Sequence, residues 1–136
     1  MTQHRRIVVL ALTLALALAA GSTLAGCAMP GANEKELSYE VYQDAPQRGD
    51  ADFVPSSFIP TDAQKLRIRV VTDGPGSVVS YESPTEPLGE DCQPGSFGDE
   101  PLLRAAWWPH DIPADGLICG DWRVFEVDGT TYAFSG

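Results

Sequence analysis

The sequence predicts a mainly β fold: a small antiparallel sheet or compact sandwich built from two hairpins joined by long loops. Two observations carry this. Residues 66–72 and 77–82 are short apolar–polar alternations on either side of Asp73-Gly74-Pro75-Gly76, a strong turn signal. Residues 117–127 and 130–135 flank Asp128-Gly129, the favoured pair for a two-residue type I′ turn. The alternative is an α+β form with one short helix, near 61–65 or 101–107.

The 136 residues hold one domain. The N-terminal end must be set aside before its fold is read. Residues 1–6 are polar and carry Arg5 and Arg6; 7–20 are apolar but for Thr13; Gly21, Ser22 and Thr23 are small. A basic start, an apolar stretch shorter than the ~20 residues a spanning helix needs and a small-residue exit make 1–26 a secretory signal. A permanent membrane helix over 7–24 is the other reading, and the small and polar residues of its second half count against it. Leu24-Ala25-Gly26-Cys27 resembles the lipobox of bacterial lipoproteins. The resemblance implies cleavage before Cys27, diacylglycerol on the Cys27 sulfur and a mature chain moored at the outer face of the cytoplasmic membrane. Two or three acyl chains hold firmly where one is marginal. Arg5-Arg6 before Ile7 faintly resembles a twin-arginine signal, but the leucine-rich run that follows fits an ordinary Sec signal better.

Acylation of Cys27 also accounts for an odd cysteine count in an exported chain. Cys92 and Cys119 remain and are expected to pair in an oxidising compartment. Metal ligation or a reactive thiol are the alternatives, without the usual Cys-x-x-Cys spacing or clustered histidines.

Residues 27–52 are expected to be a lipid-anchored tether that becomes ordered, with Leu37, Tyr39 and Val41 alternating as an edge strand or docked arm. The folded domain is placed at 53–136. Residues 53–60 are apolar but carry Pro55 and Pro60, so they suit an extended segment laid on a core. Thr61 to Gln64 reads as a turn. In the first hairpin a four-residue loop at 73–76 sets Thr72 opposite Ser77, Val70 opposite Val79, Ile68 opposite Tyr81, Val71 opposite Val78 and Arg67 opposite Glu82. Residues 83–101 are a long Pro-, Gly- and acid-rich loop with Cys92 in its middle, where a disulfide would pin it. Residues 101–109 are a strand or one helical turn ended before Pro109, and 110–116 are loop. In the second hairpin Val127 faces Thr130, Phe125 faces Tyr132 and Arg123 faces Phe134. Phe125, Val127, Tyr132 and Phe134 then share a core face. Trp122, Val124, Ala133 and Ser135 share the other, which is not fully polar and calls for a cover.

The blocks Trp107-Trp108-Pro109, Cys119-Gly120-Asp121-Trp122 and Asp128-Gly129-Thr130-Thr131-Tyr132 are similar to segments of short uncharacterised actinobacterial lipoproteins. That resemblance implies no activity.

All nineteen acidic residues but only seven of the nine basic ones follow Cys27, a formal charge of −12. Such a charge argues against nucleic acid as a partner and against adsorption of the domain itself to anionic lipid, and suits a solvated surface. His110 is the one histidine after Cys27, so no histidine-rich metal site exists, and a Ser-His-Asp arrangement would lack the Gly-x-Ser-x-Gly context. Glu90-Asp91 and Asp99-Glu100 match no EF-hand spacing, and no phosphate loop or dinucleotide fingerprint appears. No cofactor or metal is expected. Adjacent residues on a strand point to opposite faces, so of Trp107 and Trp108 one is expected to be exposed. Trp107, Trp108, Trp122 and His110 are therefore the candidate partner surface, unless loops fold back over the tryptophans as core. The expected function is binding or scaffolding at the cell envelope, with a wall glycan, a peptide or an envelope protein as partner. The alternatives are a small extracytoplasmic hydrolase using His110, and an accessory subunit docked through an uncovered Trp122 and Val124.

Overall fold

The computed structural model describes residues 33–87 and 89–136. Seven strands form one antiparallel sheet: β1 (Glu34–Val41), β2 (Gln64–Val71), β3 (Ser77–Glu82), β4 (Cys92–Ser96), β5 (Asp115–Cys119), β6 (Trp122–Val127) and β7 (Thr130–Ser135). Their order across the sheet is β1-β2-β3-β7-β6-β5-β4. The mainly β expectation holds, in its single-sheet form. The one short α-helix among the described residues, α1 (Asp44–Gln47), lies at neither expected place and is followed by a 3-10 turn at Ala51–Phe53.

The second hairpin has the expected register, Val127 opposite Thr130 and Phe125 opposite Tyr132. Asp128 and Gly129 both take positive φ, 51° and 77°, as a type I′ turn requires. The first hairpin differs from expectation by two residues. Val70 faces Ser77 and Ile68 faces Val79, not Val79 and Tyr81. The cause is Gly76, whose φ of 118° lets its carbonyl accept from the Val71 amide at 2.9 Å, so the loop closes over 72–75. A two-residue shift leaves every side chain on its expected face. A bulge follows between Gln64 and Arg67, where Lys65 has φ 50°. There Lys65, not Arg67, meets Glu82, at 2.9 Å.

Two further stretches correct the sequence reading. Residues 117–127 are not one strand: the chain reverses at Gly120, φ 61°, and Cys119 faces Trp122. The long loop contains β4, which Pro94 and Gly95 hid; an edge strand tolerates both. Cys92 and Cys119 lie directly opposite in the β4–β5 ladder at disulfide distance, with Cα atoms 4.0 Å apart.

Both sheet faces are covered by irregular chain. On the first, Leu37, Tyr39, Leu66, Ile68, Val79, Tyr81, Val124 and Ala133 meet Ala45, Val54, Phe58, Ile59 and Ala63. The proline-broken segment thus lies on the core as expected, and burying a side chain such as Phe58 contributes about 2–3 kcal/mol. Residues 34–52, expected to be tether gaining order, supply β1 and α1. On the second face, Val78, Phe125 and Phe134 meet Leu103, Ala105 and Trp108, so 101–109 is neither strand nor helix but a packed cover. Both sheet edges are blunted: Arg48 Nη1 donates to the Ser38 carbonyl on β1 at 3.3 Å, and Pro94 removes an amide from β4.

Candidate functional site

Cys27, the signal over 1–26 and the start of the tether lie outside the described residues. No helix among the described residues is long and apolar enough to cross a membrane, and none of their side chains form a cluster suited to a metal ion.

The expected tryptophan surface divides three ways. Trp108 is 8% exposed and packs edge-on against Phe125, Tyr132 and Phe134, with centroids 5.5–6.3 Å apart. It is a core residue of the second face, not a partner surface. Its indole N–H has no hydrogen-bond partner, a penalty its ring contacts must offset. Trp107 is half-buried beside it and donates from Nε1 to Glu36 on β1, 2.9 Å away. Trp122 is half-buried on the first face and tilts against Phe58 at 5.5 Å. Val124 is buried, so the face that called for a cover has one here. The argument from alternation failed because Trp107 and Trp108 are not on a strand. Large exposed hydrophobics among the described residues are Val41 and Leu102 alone.

His110 is almost fully exposed. The equally exposed Asp111 carboxylate stands 3.0 Å from its Nδ1. Both line a shallow charged depression with Asp99, Glu100 and Arg104, and no serine lines it.

Charge is organised around two networks. Arg69, nearly buried, reaches across β2 and β1 to Glu34 at 2.7 Å and to the Arg104 carbonyl at 3.2 Å, so it ties the second-face cover to the sheet. On the first face Asp50 accepts from Lys35 at 2.7 Å and from the Tyr39 hydroxyl at 2.8 Å. Those bonds hold the Asp50 carboxyl below its ordinary range. Burial, aided by the bond to Asp50, pushes the Tyr39 hydroxyl up to about 12. Asp62 is likewise held low, by the hydroxyls of Thr85 and Ser83. Burial raises Tyr81, whose hydroxyl stands near Thr131 without a well-formed hydrogen bond.

A groove of about 370 Å³ with apolar and polar lining lies on the first face of β5, β6 and β7. Leu117 and Val124, opposite one another in the ladder, line it with Glu126 and Thr131, the next opposed pair out. Glu86 and Pro87 close the other side. Sequence reading missed these residues. The available signal was the alternation after Trp122, which sets Glu126 on the face of Val124; Leu117 joins that face only through the reversal at Gly120.

No protein-family model matches the chain, and neither a curated protein nor a solved structure does.

Proposed function

We propose that the chain is a lipid-anchored module of the bacterial cell envelope that binds or scaffolds a partner outside the cytoplasmic membrane. The observation that carries this is Leu24-Ala25-Gly26-Cys27 at the end of a basic-then-apolar start. It is supported by cysteine accounting: Cys92 and Cys119 stand at disulfide distance, which leaves Cys27 as the odd thiol, at the place where acylation would use it. The deeply acidic surface suits a soluble head held off an anionic membrane. With Trp108 in the core and Trp122 packed on Phe58, a glycan stacked on bare indole rings loses its basis, as does docking through an uncovered Trp122 and Val124. A peptide or envelope protein remains as the class of partner. The hydrolase reading gains nothing from the described residues, where His110 meets Asp111 in open solvent and no serine lines the depression they share.

The test is intact-mass analysis of the chain from the membrane fraction. The expected species begins at Cys27 and carries diacylglyceryl mass. A species that retains residues 1–26, or one beginning at an unmodified Cys27, overturns the reading. Crosslinking in intact cells should then recover an envelope partner.

A further inference from the structure

We propose that the Cys92–Cys119 disulfide is a redox-sensitive latch on the β4 edge of the sheet, opened by exchange with small thiols that the flanking acids select by charge. Cationic and neutral thiols reach the bond, and anionic ones are held off. This goes beyond the reading of the domain as a binding module, and it does not depend on the lipid anchor.

Three observations converge. The first is access. Cys92 is half-buried at the start of the edge strand, whereas Cys119 is 4% exposed. Both line a cavity of about 90 Å³ with Ser57 and Gly89. A Cβ at position 89 would fall 2.9 Å from the Cys92 sulfur, so a side chain there would crowd the bond, and glycine leaves its flank clear. The second is charge. Glu90 and Asp91, both exposed, line the same cavity beside Cys92. Two carboxylates at its mouth repel a thiolate that carries a further negative charge and attract one that carries an ammonium group. The third is what the bond holds. β4 ends the sheet and pairs with β5 alone, and Pro94 withholds an amide from it. Gly95 lies against Ile118, where a Cβ would fall 2.8 Å from Ile118 Cγ1. Release of β4 therefore uncovers Ile118 and the outer edge of β5, and leaves the pairing of β3, β7 and β6 in place.

Exchange proceeds in two displacements. A thiolate attacks the sulfur of Cys92, the more exposed of the two, and a mixed disulfide forms there. The Cys92–Cys119 bond breaks, and Cys119 leaves with the electron pair and takes up a proton. A second thiolate attacks the outer sulfur of the mixed disulfide, and Cys92 leaves and is protonated in turn. Two thiols are oxidised to one disulfide, and the protein takes up two electrons and two protons.

The experiment follows reduction of the purified, oxidised full chain by 2-mercaptoethylammonium, 2-mercaptoethanol and 3-mercaptopropionate. Each rate is divided by that thiol's rate with a neutral reference, bis(2-hydroxyethyl) disulfide, which removes differences in thiolate fraction and nucleophilicity. Alkylation and peptide mapping read Cys92 and Cys119 apart from Cys27. At low salt the cation should outpace the anion by about tenfold, with the neutral thiol between them, and salt at about 0.15 M should narrow the spread. The double variant Glu90→Gln, Asp91→Asn should bring the three rates together with circular dichroism unaltered. The mixed disulfide should appear on Cys92. After reduction the amides of β4 should exchange freely while those of β3 and β7 stay protected. Equal normalised rates for the three thiols, reduction that begins only in urea, or a sheet that melts as a whole once the bond is cut overturns the proposal. A chain that carries lipid on Cys27 and crosslinks to a partner, yet resists all three thiols, overturns the latch and leaves the envelope reading standing.

Discussion

Arg69 shows how a single side chain fastens layers that the hydrophobic pattern alone would leave loose. Its guanidinium lies between Glu34 on the edge strand and the carbonyl of Arg104 in the second-face cover. Arg69→Ala would remove the guanidinium held by Glu34 and its bond to the Arg104 carbonyl of the cover. Removing one partner of a buried pair costs about 3–5 kcal/mol; the carboxylates of Glu34 and Glu36 keep some solvent, so about 2 kcal/mol is expected here. A urea midpoint unchanged from the parent would refute the assignment. Asp50 and Tyr39 make a second residue-scale prediction with opposite signs at the two ends of the pH scale. Asp50 is held low, so its contribution is full above the ordinary carboxylate value of 3.8 and fades as pH falls through its lowered folded value. Tyr39 is raised from 10.0 to about 12, so its contribution is full below pH 10 and is lost as pH rises through about 12. Asp50→Asn should flatten the acid limb of the stability curve and move tyrosinate formation at Tyr39 toward 10, read by ultraviolet absorbance. Neither network was visible in the sequence, since Lys35, Tyr39 and Asp50 meet only once α1 folds the chain back on β1.

Among the elements, β4 is the one whose existence depends most on a covalent tie. It presents Gln93 and Pro94 to solvent, contributes little to either core and ends the sheet. The Cys92–Cys119 link closes a loop with a sequence separation of 27. In the chain-entropy model that is worth about 3.5 kcal/mol, a large share of a small domain's stability. The double variant Cys92→Ala, Cys119→Ala should therefore lower the melting temperature sharply, and the amides of β4 should exchange with solvent before those of β3 and β7. Uniform exchange across the sheet would show that β4 is held equally well without the tie. Turn chemistry explains why one hairpin was read correctly and the other was not. Asp128-Gly129 admits one tight geometry, whereas Asp73-Gly74-Pro75-Gly76 contains two glycines and leaves the closing pair open. The faces survived because a two-residue slip preserves alternation. Gly129→Val, placing a β-branched residue at φ 77°, should cost about 1–2 kcal/mol in thermal unfolding.

On the scale of the whole molecule, sequence pattern yields the sheet but not what covers it. Alternation marks which side chains leave a strand in which direction; it says nothing about which proline-rich loop returns to meet them. Residues 53–60 and 101–109 look alike as apolar, proline-bounded stretches, yet they lie on opposite faces. Each covers one face of the sheet, and the chain outside them carries a surplus of acid. Nineteen acids against seven bases after Cys27 place the domain under its own repulsion, and five of those bases are already engaged in ion pairs. Adding sodium chloride shortens the screening length from about 30 Å near 0.01 M to about 8 Å at 0.15 M. The exposed ion pairs lose little, since such pairs are worth about 1 kcal/mol or less, while repulsion summed over the whole surface relaxes. The melting temperature should accordingly rise with sodium chloride over this range. A fall would mean that the local pairs around Arg69, Asp50 and Arg123 outweigh the global charge, and that the acidic surplus is not the dominant electrostatic fact of the fold.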